Sequence, residues 1–275
     1  MECALPTCLK IGIDPVAFTV GGFALYWYGL LVAIGFVVAI RLATNEAERR
    51  GLDGDQVLSA TLVASLFGLL FARVAWVLQY QPGWYVDGKH LGEALSLWQG
   101  GLSLTGGIAG GVLGAWLYTN RYNLPTLAVL DVGALVAPLG VALGKVGNII
   151  NGDIAGLQTT NFGVEYTNVS NRLLAPDTVG KTQHPIAIYE VLYNLALFGV
   201  LYYLWRRGLL RRGQVAGIYL VGYAAGQLVI GAFRLAPTGV AGLRVVQLTA
   251  LPAAAAGLWL VLRVRGRVLS PKPAP

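Results

Sequence analysis

Seven uninterrupted apolar runs, at roughly 17–40, 57–78, 102–118, 127–150, 185–205, 214–233 and 245–262, constrain this chain more than any other feature. Each is long enough as a helix to cross a hydrocarbon core of about 30 Å. The runs are rich in Leu, Ala, Val and Gly and do not alternate, so they do not read as the short strands of a membrane barrel. With 56% apolar and only 12% charged residues, the composition lies outside the range of soluble globular domains. The expected fold is an all-α integral membrane protein with seven transmembrane helices, forming one polytopic domain over residues 1–275.

The formal charge of +7 would suggest nucleic acid if its distribution were ignored. The first, third and fifth connections and the C-terminal tail carry Arg41, Arg49, Arg50, Arg121, Arg206, Arg207, Arg211, Arg212, Arg263, Arg265, Arg267 and Lys272. The other side carries fewer: Lys10, Lys89, Lys145, Arg172, Lys181, Arg234 and Arg244. The positive-inside rule then places the N-terminus outside and the C-terminus in the cytoplasm. The basic face is an orientation signal facing anionic lipid, and no nucleic-acid partner is needed to explain it.

The segment before the first run lacks a basic n-region, so that run is expected to stay in the bilayer. Cys3 and Cys8 have no further cysteine to complete a metal set, which leaves a disulfide or two idle thiols. No metal and no cofactor is expected. The sizeable polar stretch is 151–184, between the fourth and fifth runs on the outward side. About thirty residues cannot bury a core alone, so this head segment is expected to lean on helix ends and could cover a site opening there.

Polar side chains within the runs or at their ends point to function, because each charge at mid-bilayer costs a few kcal/mol, about 2.5–3.5 on insertion scales. The set comprises Tyr28, Arg73, Asp131, Lys145, Asn148, Asn151, Asp153, Glu190, Gln227 and Arg234. A buried structural pair of Arg73 with Asp131 or Glu190 is one reading of three of them. GKVGNIINGDIAG, residues 144–156, concentrates four glycines, a cation and amide and acid side chains at the outward end of the fourth run. Glycines let backbone N–H groups come close, Lys145 supplies charge and Asn148 directed donors, which suits an anionic headgroup. A glycine-packed helix end with a snorkelling lysine is the plainer alternative. GGLSLTGGIAGG, residues 100–111, raises a similar choice, because each interior glycine costs a helix about 1 kcal/mol relative to alanine. It is either a close-packing surface or a place where backbone approaches a ligand.

WYG at 27–29, FARVAWVLQY at 71–80, GGLSLTGGIAGG, GKVGNIINGDIAG, HPIAIYE at 184–190 and the closing segment from Tyr223 to Arg234 occur in one order. In that order the chain resembles the prolipoprotein diacylglyceryl transferases, over about 27–234. The resemblance implies an enzyme of the bacterial cytoplasmic (inner) membrane. Such an enzyme takes the diacylglyceryl group from phosphatidylglycerol and joins it by thioether to the lipobox cysteine of a preprolipoprotein. Its partners would be phosphatidylglycerol, the signal peptide and the bilayer.

On that resemblance Lys145, Arg234 and Arg73 would take the phosphate, and Tyr28, Asn148 and Asn151 would orient it. Asp153 and Gly156 match the acid and the glycine of the family's GRxGNFxNGExxG pattern. Gly106 and Gly107 would approach the headgroup, with Glu190, Tyr223 and Gln227 completing the binding set. His184 is either a proton acceptor or a structural cap. Four positions depart from the family pattern. Thr105 stands where the family's GGMSFHGG has histidine, and Lys145 where GRxGN has arginine. In the closing YxxxRFxxExxR, Gln227 and Gly231 stand for arginine and glutamate. Three functions follow from these residues: the transferase itself, with Thr105 in its reaction site; a non-catalytic or substrate-altered lipid-binding paralogue; and a small-solute transporter.

Overall fold

The computed structural model describes residues 8–80, 101–168, 178–236 and 238–263. Seven α-helices stand among them: α1 (Trp27–Arg49), α2 (Gly54–Tyr80), α3 (Leu104–Arg121), α4 (Thr126–Asn151), α5 (Ile186–Arg206), α6 (Gln214–Gly231) and α7 (Val245–Arg263). Six are long and apolar enough to cross a membrane. The exception is α3, whose sequence LTGGIAGGVLGAWLYTNR spends five positions on glycine and ends on Arg121, which lowers its mean hydropathy. The chain is therefore a multi-pass membrane protein.

It is not all-α. Residues 17–26, expected to open the first helix, form an antiparallel ribbon of β2 (Val16–Val20) and β3 (Phe23–Tyr26). The cause is local: Gly21 and Gly22 both have positive φ, +56° and +87°, as a two-residue type I′ hairpin turn requires. Apolar length does not register this turn; the double glycine near the start of the run is its sequence signal. Helix α1 then starts ten residues later than expected and extends to Arg49.

A second sheet pairs β1 (Cys8–Ile11) in parallel with β4 (Gly163–Tyr166). Ile11, Val164 and Tyr166 make a small core, with Ile149 of α4 and Val179 packed against it. The described residues of 151–184 thus borrow a strand and a helix end to bury Val164, Tyr166 and Val179. Cys8 is disulfide-bonded, while Cys3 lies outside the described residues.

The chain divides into two compact units. One comprises Met1–Arg41, Leu135–Arg207 and Gly217–Arg263; the other comprises Leu42–Ala134, Gly208–Ala216 and Val264–Pro275. In the second unit the glycine stretch resolves as a packing surface. Gly106, Gly110 and Gly114 fall on one face of α3 at four-residue spacing, and all three are buried. A Cβ at Gly106 would lie 2.6 Å from the Phe71 carbonyl oxygen of α2, and one at Gly114 2.9 Å from Phe67 Cβ. Gly107 faces Ala72 and the Gly68 carbonyl of the same helix. Small residues at this spacing bring two membrane helices into backbone contact, which dispersion rewards in the absence of a hydrophobic drive. Gly110→Ala should therefore lower the thermal unfolding midpoint in detergent, because its Cβ would sit 2.5 Å from Phe71 Cβ. An unchanged midpoint would mean that the α2–α3 contact is not close-packed.

Asp131, wholly buried in α4, accepts the backbone N–H groups of Gly213 and Ala216 and so caps the N-terminus of α6. Arg73, 1% exposed, donates to the Gly101 carbonyl at 3.2 Å and lies over the Trp76 ring. Ser103, held by its N–H to the Ala72 carbonyl, accepts from Gly106 N–H and caps α3. Arg73 and Ser103 together fix the segment that leads into Thr105.

Candidate active site

The first unit gathers the polar side chains that end α4. Lys145 Nζ lies 2.6 Å from Glu190 Oε2 of α5, and Arg234, just past α6, reaches Glu190 Oε1 at 3.8 Å. Glu190 is buried, and both cations keep about a fifth of their side-chain surface open. Two cations thus share one buried carboxylate, and the Asp153 carboxyl beside them feels both. The Arg234 guanidinium makes no side-chain hydrogen bond among the described residues beyond this long ion pair, so its donors remain available.

Beside them Asn148 Nδ2 donates to both oxygens of Asp153, at 2.9 and 3.0 Å. The protein packed around Asp153 pushes its carboxyl above the usual range. The Asn148 amide, Lys145 and Arg234 pull it back down, and its exposure to solvent limits the shift. Tyr166 also feels this acid: burial first, then the Asp153 charge, pushes its phenol up to about 12, so it stays protonated. Tyr28 opens α1 against α4, where a Cβ on Gly147 would come within 2.7 Å of Tyr28 Cα. Asn151, the last residue of α4, is buried.

The backbone between Asp153 and Leu157 is pinned from two sides. Leu157 N–H donates to Phe233 and Leu235 N–H to Ala155, while His184 N–H donates to Leu157. Gly156, bridged to Arg234, has no room for a Cβ because it would collide with the His184 carbonyl. Its glycine identity therefore follows from packing. Buried Gln183 accepts the Gly156 N–H at 2.9 Å and adds a third tether. His184 itself contacts the Tyr189 hydroxyl through Nδ1 at 3.2 Å and lies 4.9 Å from the Phe233 ring, which suits the structural alternative.

The structure thus brings together Tyr28, Lys145, Asn148, Asp153, Gly156, Glu190 and Arg234 along one end of α4. Tyr223 lies buried on α6, one turn before the half-buried Gln227. Arg73, Thr105, Gly106 and Gly107 belong to the other unit.

A family model described as prolipoprotein diacylglyceryl transferase matches residues 15–263. The chain belongs to that family. Among its relatives, the phosphatidylglycerol–prolipoprotein diacylglyceryl transferase of Ruegeria pomeroyi is 34% identical over 271 residues, covering 88% of this chain and 91% of the relative. Proteins of the same name from Geobacillus kaustophilus and from Streptococcus pyogenes serotype M5 are 32% and 30% identical. Each alignment covers 92% of this chain, with 94% and 96% of the respective relative.

Family membership makes the four departures structural questions, and one has a visible answer. At Gly231, where the family pattern has glutamate, a Cβ would lie 3.0 Å from Gln247 Cγ of α7. Gln247 Nε2 donates to the Leu228 carbonyl at 2.8 Å, and its Oε1 accepts from Arg244 N–H at 2.8 Å. A buried amide from α7 therefore fills the space beside Gly231 and satisfies a carbonyl near the C-terminus of α6. Sequence reading missed Gln247, although a lone amide in the last apolar run carried the same signal as the others. It also missed Gln183 and Tyr166, whose roles depend on chain crossings that no local pattern announces.

Proposed function

We propose that this chain transfers the diacylglyceryl group of phosphatidylglycerol to the lipobox cysteine thiol of bacterial preprolipoproteins, at the bacterial cytoplasmic membrane. The observation that carries the reading is the convergence of Lys145 and Arg234 on buried Glu190, beside the Asn148–Asp153 pair. In the reaction the thiolate forms a bond to a glycerol carbon. The bond from that carbon to the phosphate oxygen breaks, and glycerol phosphate leaves with the electron pair. Negative charge grows on the departing phosphate, and preorganised cations in a poorly hydrated site stabilise it best. Glu190 holds the two cations in place while leaving most of their donors uncommitted. Tyr28 supplies a directed donor for the headgroup, and Asn151 and the Asn148–Asp153 pair frame it.

Thr105, at the family's histidine position, has no group that titrates near neutral pH. Thiol ionisation therefore falls to the cationic field of Lys145 and Arg234. The same threonine, with Gln227 and Gly231, favours a second reading: a non-catalytic lipid-binding paralogue. In the proposed topology all seven helices span, with the N-terminus outside, the C-terminus cytoplasmic and 151–184 as an outward head over the site. That arrangement accords with the excess of arginine in the connections assigned to the cytoplasm.

The deciding experiment incubates purified protein with phosphatidylglycerol and a lipobox peptide and reads the peptide mass. Gain of one diacylglyceryl group is expected. A peptide that stays unmodified while the protein retains phosphatidylglycerol would favour the paralogue.

A further inference from the structure

The β2·β3 ribbon carries no charged residue from Val16 to Tyr26. Its register pairs Phe18 with Leu25 and Val20 with Phe23, and residues two apart share a face, so these four bulky side chains lie together. Thr19 and Ala24, paired with each other, occupy the opposite face. The bulky face is uncovered: Phe23 is 81% exposed, Val20 59%, and Phe18 and Leu25 are exposed as well. An isolated two-stranded ribbon is marginal in water, and an open apolar one invites aggregation.

We propose that this ribbon inserts into the bilayer, with the Phe18–Val20–Phe23–Leu25 face in the acyl region of one leaflet. Continuity identifies the occupant. The ribbon runs straight into α1, held by the Trp27 N–H to Pro15 carbonyl bond at 3.0 Å, and α1 exposes Val32, Ile34 and Val37 as a lipid-crossing helix does. Tyr26, Trp27 and Tyr28 mark the junction with the amphipathic rings typical of a membrane–water interface. The absence of charge fits hydrocarbon and leaves nothing for a charged protein partner to recognise. Because Tyr28 packs on Gly147, two residues from Lys145, the ribbon enters the leaflet at the same end of α4 as the ion cluster. It would set the depth of that end and so the level at which a lipid headgroup meets Lys145 and Asn148. The insertion itself does not depend on the transfer reaction.

Spin labels at Phe23→Cys and Val20→Cys, on the full chain in phosphatidylcholine–phosphatidylglycerol vesicles, test this. The reference positions are Ala24→Cys on the small face and Asn161→Cys in the head, and the unsubstituted chain is the labelling blank. Relaxation at 23 and 20 should be enhanced by oxygen more than by a water-soluble nickel chelate, with the order reversed at 161 and an intermediate ratio at 24. Two results would overturn the insertion: preference for the chelate at 20 and 23, or dipolar broadening between labels on different molecules, which would assign the face to a second copy. Phe23 lies at an exposed tip, so its substitution should leave the fold intact. Val20 gives an independent reading of the same face.

Discussion

Lys145→Ala and Arg234→Ala should each lower diacylglyceryl transfer by about 10²- to 10³-fold at saturating phosphatidylglycerol, the scale seen when a preorganised donor is removed from developing negative charge. The loss should fall on turnover, because the charge on the phosphate rises most in the transition state. The two variants should differ in stability. Lys145 makes the short contact with Glu190, at 2.6 Å, and Arg234 the long one, at 3.8 Å. Removing the lysine leaves a buried carboxylate with only a distant partner, which costs about 3–5 kcal/mol in comparable buried pairs. Arg234→Ala leaves the short pair intact and should unfold close to the parent. Lys145→Arg separates charge from shape: it keeps the cation, adds a bidentate fork and should retain transfer. Initial rates read by peptide mass, with unfolding midpoints for each variant, decide this. Unchanged turnover in both alanine variants would remove phosphate stabilisation from the role of these residues.

The helices were legible in the sequence because bilayer thickness imposes a length that local composition reveals directly. Helix α4, expected at about 127–150, spans Thr126–Asn151, and α5 and α7 agree as closely. The ribbon at 16–26 was not legible by that rule, since hydropathy registers apolar character and is blind to the two positive-φ glycines that fold it back. The site divides in the same way. Lys145, Asn148 and Asp153 were visible because they lie within nine residues of one glycine-rich helix end. That Glu190 would take both Lys145 and Arg234 was not, because the pairing joins three elements far apart in the chain. Asp131 shows the converse: a buried acid that suggested an ion pair caps a helix instead, a role that only the α6 backbone could disclose.

Gly231→Glu, which restores the family's residue, should destabilise this chain when made alone. The new Cβ would meet Gln247 Cγ at 3.0 Å and Val246 Cγ2 at 3.3 Å, and the rest of the side chain would need the space that Gln247 fills. Displacing Gln247 breaks its bonds to the Leu228 carbonyl and the Arg244 N–H, each worth about 1 kcal/mol. It also buries a carboxylate without a dedicated partner, for a combined loss of about 3–5 kcal/mol. Gln247→Ala should make room, and Gln227→Arg, four residues earlier on α6, would place a cation one turn from the new acid. The triple variant Gln227→Arg, Gly231→Glu, Gln247→Ala should therefore unfold well above the single Gly231→Glu variant, and Gln227→Arg alone should not rescue it. Adding Thr105→His then supplies a group able to accept a thiol proton near neutral pH, and transfer should rise above that of the triple variant as pH passes through the histidine range. Midpoints from detergent-solubilised protein give the first comparison and peptide-mass rates the second. If the single Gly231→Glu variant unfolds with the parent, Gln247 does not hold that space.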